Sequence, residues 1–436
     1  MQRHYKLAEN IIDENDISAL MAWFGMSKAS VQNYQIVAAS VGLQSPPATA
    51  KPGSNTSTVV TGDKNAYSRG LQPGKLPQLT KGTLTVEFEK QWAKWIGTKY
   101  AVFCNSGSSA NFLMAYAALL SKKLKNKKVI VPSVGWVTTI SPFMQLGFEP
   151  IMCGADTDNF SLDLVQLEKL LKKHKPALVI MVQVLGVPGD MEALKKLQKK
   201  YKFMLLEDAC AALGAEYKGK KVGSLSDMSS FSFFFGHQLS TIEGGMVNTN
   251  SKELYDMLLL IRSHGWGKDL DAGARKKLIR KYKIEDFHQP FTFFVPGMNL
   301  RNTEVGAFLG LLQMQKADKV TETRRRNHYL YANLLKNVTF QKWDKKSEPC
   351  SISFGALARS SEHRKEIVKK LVENRIETRL FSAGNLGLHP FWFERYGKFH
   401  HPVSDRVHAC GFFLPNHESL TEGDVRYIAG VVNSVE

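Results

Sequence analysis

Four short stretches carry the residue types that chemistry requires, and they follow one another in a fixed order along the chain. The first, Asn105-Ser106-Gly107-Ser108-Ser109-Ala110-Asn111, comes directly after the strand-like run Tyr100 to Phe103 and opens a helical pattern. Small residues there leave backbone N–H groups free at the positive end of a helix, where a phosphate is well held. Gly107 and Ser108 are therefore candidate phosphate contacts, although the same tripeptide also makes an ordinary turn and N-cap. The second is Trp136, just past the apolar run that ends at Pro132. Its indole can cover a planar ring or fill a core. The third is Glu207-Asp208, closing the apolar run Phe203 to Leu206. A carboxylate at a strand end can keep a ring nitrogen protonated and so make the ring an electron sink, or it can cap the next helix. The fourth pairs Ser232 with His237, a hydroxyl for a phosphate and an imidazole suited to moving protons near neutral pH. Each residue alone has a bland reading, His237 as a satisfied core side chain; together, their order and spacing point to one site.

The elements around these residues alternate. Helical patterns at Val86 to Trp95, Ser109 to Leu120 and Leu162 to Leu171 are separated by short apolar runs at Val129 to Val131, Leu178 to Val184, Phe203 to Leu206 and Ser229 to Phe235. Apolar strands separated by helices predict a mostly parallel sheet covered on both faces, with ligands at the strands' C-terminal ends. Ahead of this unit stand a helical pattern at Ile17 to Phe24 and a polar Pro/Ser/Gly-rich segment from Ser27 to Gly82, read as a loop, lid or arm. Behind it, Phe340, Ser351 to Leu357, Arg364 to Asn374, Glu377 to Leu380 and a helix from Glu422 predict a smaller α+β domain. The expected division is residues 1–82, 83–325 and 326–436.

Composition narrows the class. The 436 residues, 43% hydrophobic and 22% charged, fit a soluble two-domain enzyme. No apolar stretch approaches the roughly 20 residues of a membrane span, and the first residues lack the apolar core of a signal peptide. Five cysteines without a CxxC pair fit free thiols in a reducing cytoplasm, and their scatter argues against a Cys-ligated cluster. The charge of +18 would attract polyanions or a phosphorylated small substrate. The lysine runs sit beside helical patterns without interleaved aromatics, so they read as solvated surface rather than as a nucleic-acid site.

The joint pattern resembles the DegT/DnrJ/EryC1/StrS sugar aminotransferases of fold type I, the aspartate aminotransferase-like α/β fold. Besides the stretches above, the resemblance rests on Val131-Pro132-Ser133-Val134-Gly135-Trp136, Phe235-Gly236-His237, Ile242-Glu243-Gly244-Gly245, Ile261-Arg262-Ser263-His264-Gly265-Trp266 and Phe294-Val295-Pro296-Gly297-Met298-Asn299. Within the family the chain is most similar to a branch in which histidine replaces the lysine that otherwise binds the cofactor covalently. The resemblance implies pyridoxal 5′-phosphate and pyridoxamine 5′-phosphate held noncovalently, with Gly107, Ser108 and Ser232 on the phosphate, Trp136 on the ring and Asp208 at its nitrogen. It implies a homodimer in which Asn299 reaches the neighbouring subunit's phosphate, and places His264 and Arg379 near substrate. The implied activity is 3-dehydration of a nucleotide-linked 4-keto-6-deoxyhexose, GDP-linked for preference, with His237 as acid and base and glutamate as amino donor. Gly236, Ala211 and Lys268 depart from that branch, where serine, an acidic residue and arginine are expected. One alternative is a protein of the same fold acting on another nucleotide-linked 4-keto sugar; the other, which loss of the lysine suggests, is a noncatalytic sugar-nucleotide binder, and retention of Ser108, Trp136, Asp208 and Ser232 argues against it.

Overall fold

The sheet begins with runs apolar enough to be buried on both faces. In the computed structural model, which describes residues 79–436 together with Tyr5, Lys6, Ile12 and Asp16, these runs form β1 (Tyr100–Cys104), β2 (Lys128–Pro132), β3 (Glu149–Cys153), β4 (Leu178–Val182) and β5 (Met204–Asp208). A short hairpin of β6 (Glu216–Tyr217) and β7 (Lys220–Lys221) precedes β8 (Met228–Ser232) and β9 (Gly245–Thr249). The seven long strands lie in the order β1-β9-β8-β5-β4-β2-β3. β9 runs antiparallel to both of its neighbours, and the remaining pairings are parallel. Every residue of β4, Leu-Val-Ile-Met-Val, is buried, as a strand covered by helices on both faces requires. The crossover helices start on side-chain caps from Ser106, Asp163 and Asp190, each accepting a first-turn N–H and so fixing where the chain turns back toward the sheet.

The smaller unit contains β10 (Thr339–Phe340), β11 (Ser347–Glu348), β12 (Phe354–Leu357) and β13 (Gly411–Leu414). β10, β12 and β13 make a three-stranded sheet, while β11 joins the β6–β7 hairpin of the larger unit. Helices Ser361–Glu373 and Glu422–Asn433 cover it around Phe354, Ile367, Phe412 and Ile428. The expected boundary at 326 falls inside one continuous helix, Ala317–Leu334.

Several expected elements differ in their limits. The run predicted to 184 ends at Val182, and Leu185 turns at φ 55°. The run predicted from Ser229 to Phe235 leaves the sheet after Ser232, so that Phe234 and Phe235 stand exposed on a loop. β3, β9 and β13 were not anticipated. Pro150 disguises β3, which tolerates it because it is an edge strand. Glu377 to Leu380 forms only a single bridge, Leu380 to Phe412. The helix expected at Ile17 to Phe24 and the polar segment from Ser27 as far as residue 78 lie outside the described residues. Where that segment ends, Thr80 bridges Thr303, and the Glu304 carboxylate accepts the N–H groups of Gly82, Leu84 and Thr85, capping a helix (Thr83–Ile96) that has no side-chain cap of its own.

Candidate active site

At the C-terminal ends of β5 and β8 a cavity of about 670 Å³ opens between the two units, of the size that small ligands and cofactors occupy. Gly107, Ser108, Trp136, Asp208, Ser232, His237 and Arg379 all line it. They are scattered over more than 270 positions in the chain; parallel strands deliver six of them to one edge by their C-terminal ends, and Arg379 comes from the smaller unit, beside β13.

Each side chain is held by its element. Ser106 caps the helix Gly107–Leu120 by accepting from the N–H of Ser109 at 3.0 Å, leaving the N–H groups of Gly107 and Ser108 at the helix's positive end. Gly107 is needed for closeness: a Cβ there would lie 2.6 Å from the Cβ of Ser232, so the tip of β8 and the helix start together form one small cradle. Trp136 is 51% exposed at the start of the helix Val137–Gln145. The loop carrying it is pinned to the smaller unit, with Ser382 Oγ donating to Gly135 O at 2.7 Å and the Leu386 N–H to Ser133 O at 2.8 Å. Arg379 lies at the opposite wall with its guanidinium 5.0 Å from the centre of the Phe413 ring.

Asp208 is buried and fully engaged on one side. Its Oδ2 accepts from Asn111 Nδ2 at 2.9 Å and from Thr139 Oγ at 2.6 Å, while Oδ1 accepts from the Cys210 N–H at 3.1 Å. His237 sits 2.8 Å from the Cys210 carbonyl through Nδ1. A carbonyl only accepts, so Nδ1 carries the proton and Nε2 keeps the lone pair. Burial pushes the imidazole down to about 4 against the opposing pull of the Cys210 carbonyl and Asp208. At neutral pH the site thus holds an uncharged imidazole in a defined tautomer, a proton acceptor by construction. Burial also raises the Cys210 thiol well above its ordinary range, which keeps it protonated. Ala211 and Gly236 line the cavity without contributing a polar side chain, and among the described residues no lysine lines it.

Asn299 and His264 are not in this cavity. Asn299 is exposed and pairs backbone-to-backbone with Ser263; its Oδ1 accepts from Arg301 Nε at 2.9 Å. His264 Nε2 lies 3.3 Å from Arg301 Nη2, and its ring packs edge-on against Trp266. Lys268 lies 5.4 Å from the centre of that indole. Sequence reasoning missed Asn111 and Thr139, which hold Asp208, and Glu243 and Glu377, which line the cavity. Asn111 lies one helical turn from Ser108, but nothing in the sequence showed that its partner is Asp208. Nothing in the sequence marked Thr139.

A helix N-terminus cradled against a serine, an exposed indole and an anchored carboxylate suit a phosphorylated aromatic ring with a basic nitrogen. The chain belongs to the DegT/DnrJ/EryC1/StrS aminotransferase family, whose model matches residues 68–433. A GDP-4-keto-6-deoxy-D-mannose 3-dehydratase of Yersinia pseudotuberculosis is 35% identical over 312 residues, 70% of this chain and 79% of that protein. Two structures of ColD, a GDP-4-keto-6-deoxymannose-3-dehydratase, superpose with a TM-score of 0.75 at 28% identity, covering 81% of this chain and 94% of theirs. One is a mutant with bound GDP-perosamine, the other holds a trapped PLP-glutamate geminal diamine.

Proposed function

We propose that the protein is a pyridoxamine 5′-phosphate-dependent 3-dehydratase of a GDP-linked 4-keto-6-deoxyhexose, GDP-4-keto-6-deoxymannose being the expected substrate. The observation that carries this reading is His237: a cavity lined by Gly107, Ser108, Trp136, Asp208 and Ser232 has, in place of a lysine, a neutral imidazole with its base nitrogen free. In this site the phosphate would be held by the N–H groups of Gly107 and Ser108 with the Ser232 hydroxyl, and the ring would lie between Trp136 and the Asp208 carboxylate. When bound, the cofactor supplies an amine that condenses with the 4-keto carbon and a ring that accepts an electron pair.

The protein's own part is proton management. With the cofactor bound, Nε2 of His237 would serve as the base toward its reacting carbon, and the imidazolium would then serve as the acid toward the departing 3-hydroxyl, which would leave as water. Asp208, held by Asn111 and Thr139, would pair with the ring nitrogen. The products would be the 3-deoxy-4-keto sugar and ammonia, and glutamate would resupply the amine, with Arg379 placed to receive its carboxylate or the sugar nucleotide. The imidazole cannot trap the aldehyde covalently, which keeps the site from the lysine-dependent route of an ordinary aminotransferase.

The loop bearing His264 and Asn299 supports a homodimer with shared sites. Beside it Phe287, Phe291 and Phe293 are 85%, 70% and 56% exposed, an apolar face of the kind a second copy covers. Asn299 would then complete the partner's phosphate site and His264 its sugar site. The five free cysteines fit a reducing cytoplasm. Among the described residues no helix is long and apolar enough to cross a membrane.

The test is turnover: protein supplied with pyridoxal phosphate, glutamate and GDP-4-keto-6-deoxymannose, with ammonia and sugar mass followed together. A product lacking the 3-oxygen, with ammonia released, is expected. A 4-amino sugar that keeps its 3-hydroxyl would replace dehydration by transamination.

A further inference from the structure

We propose that Asn111 and Thr139 are positioning residues that set the charge state of the cofactor's ring nitrogen through Asp208, an assignment that rests on the function proposed above. Three buried polar side chains, from two helices and one strand, converge on a single carboxylate. Asn111 on the helix Gly107–Leu120 and Thr139 on the helix Val137–Gln145 both donate to Asp208 Oδ2, at 2.9 and 2.6 Å. Ser230, from β8, donates to Asn111 Oδ1 at 2.6 Å and so fixes which way the amide of Asn111 points. Asn111, Thr139 and Ser230 are 2%, 0% and 0% exposed.

Burying an amide and two hydroxyls is costly unless each is bonded, and here the amide N–H and both hydroxyl donors point to Asp208 or to Asn111, which holds it, while the Ser230 hydroxyl also accepts from the Cys210 thiol at 3.7 Å. The arrangement loads the two carboxylate oxygens unequally. Oδ2 takes two side-chain donors, whereas Oδ1 takes the Cys210 N–H at 3.1 Å, and the Cys210 thiol is also hydrogen-bonded to the carboxylate; Oδ1 retains capacity for another donor. Asp208 lines the cavity, so the less loaded oxygen is the one a ring N–H can use. Donors on Oδ2 fix the rotamer of the carboxylate. A carboxylate held in one orientation against the ring nitrogen favours the protonated ring, and the ring's capacity as electron sink follows from that charge. The chain thus invests the second turn of one helix, the first turn of another and a central strand in the state of one atom of a ligand.

The experiment uses the holoenzyme. Thr139→Val removes the hydroxyl and keeps the side chain's shape; the absorbance of bound pyridoxal phosphate is titrated with pH, its affinity is measured by fluorescence, and kcat and KM are determined separately. The midpoint of the bound cofactor's absorbance titration should shift, and kcat should fall about tenfold or more, the loss expected for a hydrogen bond to a charged group. KM should change by less than about threefold, since substrate binding is not what the hydroxyl serves. Thr139→Ser should restore both the titration and kcat. Ser230→Ala, which touches only the support of Asn111, should give a smaller shift in the same direction and serves if Thr139→Val fails to fold. Lowered thermal stability of the variant with a wild-type titration and wild-type kcat would make these residues structural only and overturn the proposal. Wild-type protein that binds no pyridoxal phosphate or does not dehydrate would instead overturn the function itself, a failure visible before any variant is made.

Discussion

The cavity around Asp208 and His237 and the loop around His264 and Asn299 were expected to serve one reaction, yet they are built in opposite ways. In the cavity, Asp208 at the end of β5 is locked by side-chain hydrogen bonds from buried Asn111 and Thr139, and His237, on the loop after β8, is held through its imidazole by the Cys210 carbonyl. In the loop, order comes from the backbone: the His264 N–H donates to Met298 O, the Met298 N–H to Ile261 O and the Leu300 N–H to Arg262 O. The side chains beside that ladder remain open, Asn299 and Met298 among them. Gly265 shows how tight the ladder is, since it turns at φ 85° with its Cα against the Val295 carbonyl, where no Cβ would fit. Beneath, buried Arg262 pairs with Glu89 and bonds the Phe103 carbonyl, anchoring the loop to β1. The contrast separates a cavity preorganised by side-chain hydrogen bonds from a surface whose backbone is fixed and whose side chains are open.

The largest effect that could break this division is at the reaction centre. His237→Asn keeps a side chain able to donate to the Cys210 carbonyl but removes the base, so the dehydration rate should fall by roughly 10²–10⁴-fold. Bound pyridoxal phosphate should change little, as equilibrium dialysis would reveal. A variant that still dehydrates at more than a tenth of the wild-type rate would take the base role away from His237. Next in size is the cradle. Gly107→Val forces a side chain into Ser232, 2.6 Å from where the first atom would sit, and cofactor affinity should drop by about tenfold or more while the apoprotein stays folded. Unchanged affinity would move the phosphate elsewhere.

How much of this was legible in the sequence depended on how each residue reports its place. Asp208 was readable because a strand end follows from an apolar run, and Gly107 because small residues before a helical period mark its start, whereas Ser232 was taken as mid-strand, its run being read on to Phe235. His237 stood out by its neighbours rather than by periodicity. Asn111 and Thr139 were hidden, since a polar residue inside a helix declares a function only when its partner, far along the chain, is known. β3 and β9 were hidden for the opposite reason: Pro150 and Gly245 break the apolar alternation that marks a strand, and sheet position alone makes them acceptable. That Asn299 and His264 lie apart from the cavity could not be read from spacing, because separation within one protomer is a property of the folded chain.

A smaller effect sharpens the account through pH. The His237 imidazole titrates near 4 in the folded protein against an ordinary 6.5, and burial likewise pushes His328 down to about 3. Both are depressed, so between these values and 6.5 the unfolded chain binds more protons than the folded one. Their contribution to stability is whole above pH 6.5 and is lost progressively as pH falls toward 4. Thermal melts of the apoprotein should show this slope, and His237→Asn should flatten part of it while His328 leaves a remainder. An identical slope in the variant would mean that His237 is not held neutral by burial.

The central claim, that each site takes its reaction centre from one subunit and its closing loop from the other, is tested most directly by mixing two inactive variants. His237→Asn and Asn299→Ala subunits, dissociated together and reassembled in equal amounts, should recover roughly a quarter of the wild-type dehydration rate, because half the dimers are mixed and each of those has one intact site. No recovery in mixed dimers verified by mass would place Asn299 in its own subunit's site and contradict the account.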